Sequence, residues 1–96
     1  MAEHEGHGWT LLAADAKVMI RPCVLHRIVL NASVDGGDVT LYHGRDTGGV
    51  SLGVYEGLAK ITLPIELGVL LEDGLYVDVG SNVTSILVVF DPLAEP

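Results

Sequence analysis

The sequence predicts an all-β fold: a small antiparallel β-sandwich, jelly-roll-like, with about eight short strands. Short apolar runs alternate with turn signals at close spacing from Trp9 onward. No segment has convincing helical periodicity, although TLLAADAKVM would tolerate a helix. The chain has 96 residues, of which 49% are hydrophobic, which suits one domain with a single core. A small barrel is the alternative architecture.

The chain divides into a polar arm over 1–8 and a single sandwich domain over 9–96. We expect the arm, MAEHEGHG, to be flexible because it is polar and contains glycine. WTLLAA then predicts a first edge strand, and AKVMI predicts a second. The second strand should end at Arg21-Pro22, since proline cannot donate a hydrogen bond to a ladder.

The middle of the chain predicts a hairpin over 23–44. CVLHRIVLNAS is its first strand, and VTLYHG returns after the turn DGGD. By the two-residue period of a strand, one face of the first strand holds Val24, His26, Ile28 and Leu30.

The second half of the chain predicts four more strands: VSLGVYEG, AKITLPIELG, LYVDV and VTSILVVF. Pro64 inside the second of these predicts an edge, a bend or a break. In the last two strands we expect the core to be filled by Leu75, Val77, Val79, Leu87 and Val89. That choice turns Ile86, Val88 and Phe90 toward a neighbour.

Charge excludes several classes of partner. Thirteen acids against five bases give a formal net charge of −8, and no basic residue follows Lys60. Binding to nucleic acid needs a basic footprint, so we expect no nucleic-acid partner. An anionic membrane surface is disfavoured for the same reason, and every apolar run is too short to span a bilayer. The N-terminus does not resemble a secretory signal, so synthesis in a cytoplasm is expected.

Candidate catalytic and metal-binding residues are few. His4, Glu5 and His7 lack the i, i+4 spacing of the helical zinc motif. His26 and His43, on the two strands of the predicted hairpin, could be two metal ligands or include a general base, as in a cupin-like metalloenzyme. The alternative is two polar residues on a half-exposed sheet face, which we favour because a cupin's Gly-rich pattern is absent.

Other reactive groups are also missing. No GxSxG elbow or phosphate-binding loop occurs, and Cys23, the only cysteine, lies in an apolar run that predicts a small core residue. We therefore expect no catalytic residues, no cofactor, no metal and no enzymatic activity.

A protein-binding surface is the function that these patterns favour. IVL, VLL and ILVVF place apolar residues on both faces of their strands, and such strands need cover on both sides. A two-layer sandwich covers only one face of each sheet, so oligomerisation or docking on a larger assembly would cover the rest. The expected partner interface comprises Trp9, Ile86, Val88 and Phe90.

The segments VLHRIVLNASVDGGDVTLYHGRDTGG and LEDGLYVDVGSNVTSILVVF resemble small β-sandwich virion structural proteins of tailed bacteriophages. The matching positions are Leu25-His26-Arg27, the VTLY strand and the final GLYVDV segment. One departure is His43, where the family pattern would have a carboxylate.

The resemblance implies a capsid decoration (cement) protein that binds the major capsid protein and stabilises the head, as a homotrimer on the virion surface, made in the host bacterial cytoplasm. The alternative is a tail- or fibre-associated module that binds carbohydrate or another virion protein. No cofactor is implied.

Overall fold

Eight strands account for most of the chain. The computed structural model describes residues 8–33, 36–59 and 61–93. The strands are β1 (Gly8–Leu12), β2 (Ala16–Met19), β3 (Cys23–Ala32), β4 (Asp38–His43), β5 (Val50–Glu56), β6 (Thr62–Leu71), β7 (Leu75–Val79) and β8 (Val83–Pro92). They form two four-stranded antiparallel sheets: the first sheet, in the order β1-β8-β3-β6, and the second sheet, in the order β2-β7-β4-β5. The predicted all-β sandwich is confirmed.

The strand pairing is nested. β1 pairs with β8, β2 with β7, β3 with β6 and β4 with β5, all antiparallel. This is the order of one long hairpin rolled into two sheets, which is the jelly-roll topology. The structure describes Gly8 as the first residue of β1, and the rest of the predicted arm, 1–7, lies outside the described residues.

The predicted hairpin over 23–44 is wrong. β3 pairs with β6 and β8 in the first sheet, whereas β4 pairs with β5 and β7 in the second sheet. The chain therefore changes sheets between these two strands. β3 has two partners of its own length, ten residues each, and β4 has only six residues to offer. Because longer ladders pair more backbone groups, pairing of β3 with β6 and β8 is favoured over a local hairpin of β3 with β4.

The core lies between the sheets and is almost entirely aliphatic. Its fully or nearly fully buried members are Cys23, Leu25, Ile28, Leu30, Val39, Leu41, Leu71, Leu75, Val77, Ile86 and Val88. The inward places of Leu75 and Val77 confirm the prediction for β7, and Val79 packs against this cluster at its margin. Each buried aliphatic side chain contributes about 1.5–3 kcal/mol of transfer free energy, so this cluster is the main source of stability.

The predicted faces of β8 are reversed. Ile86 and Val88 are fully buried, while Leu87 and Val89 are half-buried on the opposite side of the strand. Strict alternation fixes which residues share a face, and the run ILVVF is apolar at both parities, so it does not say which face is inside.

The predicted faces of β3 are also wrong, for a different reason. Leu25 and Ile28 are both fully buried although three positions separate them. The registers of β3 with β6 and with β8 shift between Leu25 and Arg27, so a β-bulge at His26 changes the phase of the strand. Val24 and His26 consequently do not share the core face with Ile28.

Pro64 lies in β6, which forms one edge of the first sheet, so the edge prediction is confirmed. The tight turn before β7 is also confirmed: Gly74 has a φ of 104°, a backbone conformation that residues with a Cβ rarely adopt. Within the described part of the chain, no helix has the length and apolar character needed to cross a membrane.

Candidate protein-docking surface

The outer side of the first sheet carries a continuous apolar row. Leu11 of β1 is the register partner of Leu87, Leu87 is the partner of Val29, and Val29 is the partner of Pro64. Directly opposed residues of antiparallel strands point to the same face, so these four side chains cross the whole sheet side by side. We name them the apolar row.

A second row runs parallel to the first and is half apolar. Trp9 pairs with Val89, Val89 with Arg27, and Arg27 with Glu66. The Arg27 Nε lies 2.9 Å from the Glu66 Oε2, in an ion pair with both side chains largely in solvent. Such an exposed pair adds little to stability, but it neutralises both charges on this face. We name Trp9, Val89 and the apolar row together the first-sheet surface.

A polar row bounds the first-sheet surface on one side. The Asn31 Nδ2 donates a hydrogen bond to the Ser85 Oγ at 3.2 Å, and the Thr62 Oγ1 donates to the Asn31 Oδ1 at 2.9 Å. These three residues are register partners across β8, β3 and β6. Their polar groups therefore satisfy one another along the sheet.

An acid–histidine pair bounds the other side. The His26 Nε2 and the Asp91 Oδ2 are 2.9 Å apart, and the Asp91 Oδ1 accepts a hydrogen bond from the Gly8 backbone N–H at 3.3 Å. Asp91 therefore links the beginning of β1, the bulge of β3 and the end of β8. His26, which the sequence offered as one of two possible metal ligands, therefore contacts a carboxylate of its own sheet.

The structure divides the sequence-predicted interface residues into two groups. Trp9 is 67% exposed and lies on the first-sheet surface, while Ile86 and Val88 have no exposed area and belong to the core. Phe90 is half-buried and packs against that core. Ile86 and Val88 are thus corrected from interface to core, because the faces of β8 are reversed. An interface role for Trp9 or Phe90 stays a prediction.

Sequence reasoning missed Leu11, Val29, Leu87 and Val89, and a signal for two of them was present. Ser85 and Asp91 have the same parity along β8 as Leu87 and Val89. A polar residue at each end of a strand indicates that its parity faces solvent. The position of Leu11 and Val29 beside Leu87 depends on pairing between distant strands, which no local pattern reveals.

The outer side of the second sheet is different in character, because it is acidic. Asp38 pairs with Glu56 across β4 and β5, and Thr40 pairs with Asp78 across β4 and β7. Partial burial raises the pKa of Asp78. This pKa is raised further by the negative charge of Asp15, by the hydrogen bond between Asp78 and Asp15, and by the charge of Asp38. The second sheet therefore carries more carboxylates on its outer side than the first sheet, although Lys17, the register partner of Tyr76, lies among them.

Two tyrosines lie together on this acidic face. Tyr42 and Tyr76 are register partners whose ring centroids are 6.3 Å apart at 54°. The pKa of Tyr76 is raised by desolvation and by the charges of neighbouring carboxylates, Asp15 first among them. The phenol of Tyr76 therefore stays neutral well above physiological pH.

The two histidines considered as a metal pair are held by different sheets. His26 belongs to β3 in the first sheet, and His43 belongs to β4 in the second. The His43 Nε2 accepts a hydrogen bond from the Asp73 backbone N–H at 3.0 Å. Because they belong to different sheets, His26 and His43 are not cross-strand neighbours. In residues 8–33, 36–59 and 61–93, no three side chains of His, Cys, Asp or Glu are arranged to hold a metal ion. His4, Glu5 and His7 lie outside those ranges.

Cys23 is fully buried, as its apolar surroundings predict. Burial raises the pKa of its thiol, which keeps the sulfur protonated and unreactive. It belongs to the core rather than to a reactive site.

Comparisons with protein-family models, with curated proteins and with solved structures find no match to this chain.

Proposed function

We propose that this chain is a non-enzymatic structural protein of a larger particle and that it docks on a partner protein through the first-sheet surface. The observation that carries the proposal is the apolar row with Trp9 beside it. Antiparallel sandwiches usually present polar residues on their outer faces. Here Trp9 and Leu11 are 67% and 58% exposed, and half-buried Leu87 and Val89 join them into one patch. A contiguous apolar patch of this kind marks an interaction site.

The free sheet edges favour face docking over strand addition. β1 and β2 are short, with five and four residues. The longer edge strands are interrupted: β5 has a positive φ at Gly53, and β6 has one at Gly68 as well as Pro64. Short, bulged or proline-containing edges are poor templates for another strand. A partner is therefore better received on the face of the first sheet.

The resemblance suggests which particle this is. We propose that the chain is a capsid decoration protein of a tailed bacteriophage, made in the host bacterial cytoplasm, which binds the major capsid protein and stabilises the head. The contrast between the two faces supports this role, because an apolar face can lie on the shell while an acidic face stays in water. The homotrimer that the resemblance implies is part of the proposal for the protein on the particle.

A second candidate is a tail- or fibre-associated module that binds carbohydrate or another virion protein. The observation that favours carbohydrate is the Tyr42–Tyr76 pair beside the carboxylate of Asp78. Aromatic rings offer apolar surface to a sugar ring, and carboxylates accept hydrogen bonds from its hydroxyls. The two candidates use opposite faces of the sandwich, so they can be separated by mutation.

The decisive experiment is a binding titration on purified empty heads and on purified tails of the phage that encodes the chain. We expect saturable binding to heads. Leu11→Glu should weaken it at least about tenfold, because a charge in the apolar row must be desolvated on docking. Val54→Glu is the matched control, since Val54 is also 58% exposed and on an edge strand, but on the second sheet.

The outcomes separate the candidates. Saturable binding to tails alone would move the protein to the tail, and the absence of binding to either would refute the virion proposal. A glycan-array signal that Tyr76→Ala abolishes and Leu11→Glu preserves would establish the carbohydrate-binding alternative.

A further inference from the structure

We infer that, in the free protein, the apolar row is covered by the apolar row of a second copy of this chain, in a two-fold dimer packed face to face through the first sheet. This inference goes beyond the proposed function, which concerns the protein on a particle. It rests on the arrangement of side chains in rows, on the distribution of charge between the two outer faces, and on the area available.

The apolar row is complementary to itself. A two-fold axis along the row places the apolar row of one copy on the apolar row of the other, so that Leu87 packs on Leu87 and Val29 on Val29. Isologous contacts of this kind require that one patch match itself. The same axis sets Val89 opposite Ser85, and it sets the ion pair of Arg27 and Glu66 opposite Asn31 and Thr62 rather than opposite a like charge.

Charge selects this face among the surfaces that two acidic chains could share. The chain has a net charge of −8, so two copies repel unless their acidic regions stay apart. On the first sheet, Arg27 balances Glu66 and His26 contacts Asp91. The other outer face carries a group of carboxylates that includes Asp78.

Face-to-face packing places the two acidic faces on the outside of the dimer. Four stacked sheets have three gaps of about 10 Å, so the acidic faces lie roughly 30 Å apart. The Debye length at physiological salt is about 8 Å, so their repulsion is screened. Packing through the second sheet would instead bring the carboxylates of both copies into contact.

The area predicts a weak dimer. Four strands about 4.8 Å apart, crossed by three rows about 6.8 Å apart, give a face of roughly 400 Å² per copy. A stable standard interface buries about 800 Å² on each partner. The pairing should therefore be reversible, with a dissociation constant on the order of tens of micromolar or weaker.

Sedimentation equilibrium of the untagged full chain, from about 1 μM to about 1 mM, tests the inference. One chain has a mass of 10.2 kDa, and we expect the average mass to rise toward twice that value with concentration. Leu11→Glu should stay at one chain mass across the range, and Val54→Glu should follow the unmodified protein. A second measurement, methyl NMR shifts of the unmodified protein, needs no variant: methyls of Leu87 and Val29 should shift with concentration, and those of Val54 should not.

Several results would overturn the inference: a single-chain mass at the highest concentration, a limiting mass of three chains, or concentration-dependent shifts on the second sheet instead of the first. Failure of the dimer inference can be distinguished from failure of the proposed function. A protein that stays monomeric but binds phage heads refutes the dimer alone, whereas a dimer that binds neither heads nor tails refutes the virion role alone.

Discussion

Val88→Ala and Val89→Ala form a matched pair that tests which side of β8 faces the core. The two valines are adjacent and chemically identical, but Val88 is fully buried and Val89 is half-buried on the first-sheet surface. Both substitutions exchange the same side chain for alanine, one position apart in one strand, although β-propensity itself depends on which face of the sheet a residue occupies. The difference between the two losses of stability therefore reports mainly the difference in burial and packing.

The expected magnitudes follow from that burial. Val→Ala removes two carbon atoms, worth about 1.6 kcal/mol of transfer free energy, and a cavity that does not collapse adds to the loss. We expect Val88→Ala to lower the free energy of unfolding by about 2–3 kcal/mol. Val89→Ala should lower it by less than about 1 kcal/mol, because part of its side chain is already in water.

Thermal unfolding followed by circular dichroism measures both effects. For a domain of this length, 1 kcal/mol shifts Tm by roughly 4–8 °C, so Val88→Ala should melt about 10–20 °C below the unmodified protein. The protein should be held near 1 μM, where the proposed dimer is dissociated. Equal losses, or a larger loss from Val89→Ala, would refute the inward orientation of Val88.

Three further predictions concern a turn, a carboxylate and a strand terminus. Gly74→Ala should lower the free energy of unfolding by more than about 2 kcal/mol in a urea titration, because an added Cβ would collide with a backbone carbonyl. The control is Gly36→Ala, which is also at positive φ but in open space and should lose only about 1 kcal/mol. Asp78→Asn should raise Tm at pH 7, because burial and neighbouring charges raise the folded-state pKa of Asp78 and so destabilise its ionised form in the folded protein. The gain in Tm should vanish as pH falls through that pKa toward the unfolded value near ~3.9. A gain in Tm that is independent of pH would contradict this cause. Asp91→Asn weakens the contact with His26 and should lower the free energy of unfolding by about 0.5–1.5 kcal/mol, with faster amide hydrogen exchange in β1. Exchange that increases only in the second sheet would argue that Asp91 does not link β1 to β3.

The fold class was accessible from the sequence because it depends on local patterns. Turn signals such as Glu72-Asp73-Gly74 and the alternation of LYVDV follow from backbone chemistry that acts over a few residues. Proline at position 64 likewise indicated an edge, a bend or a break, and the edge is what the fold uses, since a missing N–H disfavours a central strand.

The pairing partners and the faces were not accessible in the same way. A bulge at His26 shifts the phase of β3 without any special residue to announce it, and the run ILVVF is equally apolar on both sides. The first-sheet surface depends on both features. Its members come from four strands whose order is set by contacts between distant parts of the chain, and alternation within one strand does not encode that order.

The position of β8 also has a consequence for how the protein is made. β8 lies between β1 and β3 in the first sheet and is the last described strand to leave the ribosome. Trp9 and Leu11 are synthesised early, yet they gain their neighbours Val89 and Leu87 only when β8 pairs with β1. Because long-range strand pairing is slow, the patch should form late in folding, once β8 has been synthesised and has paired with β1. The first-sheet surface is therefore complete only in molecules in which β8 has joined the first sheet, so under the proposed function folding of β8 would precede docking.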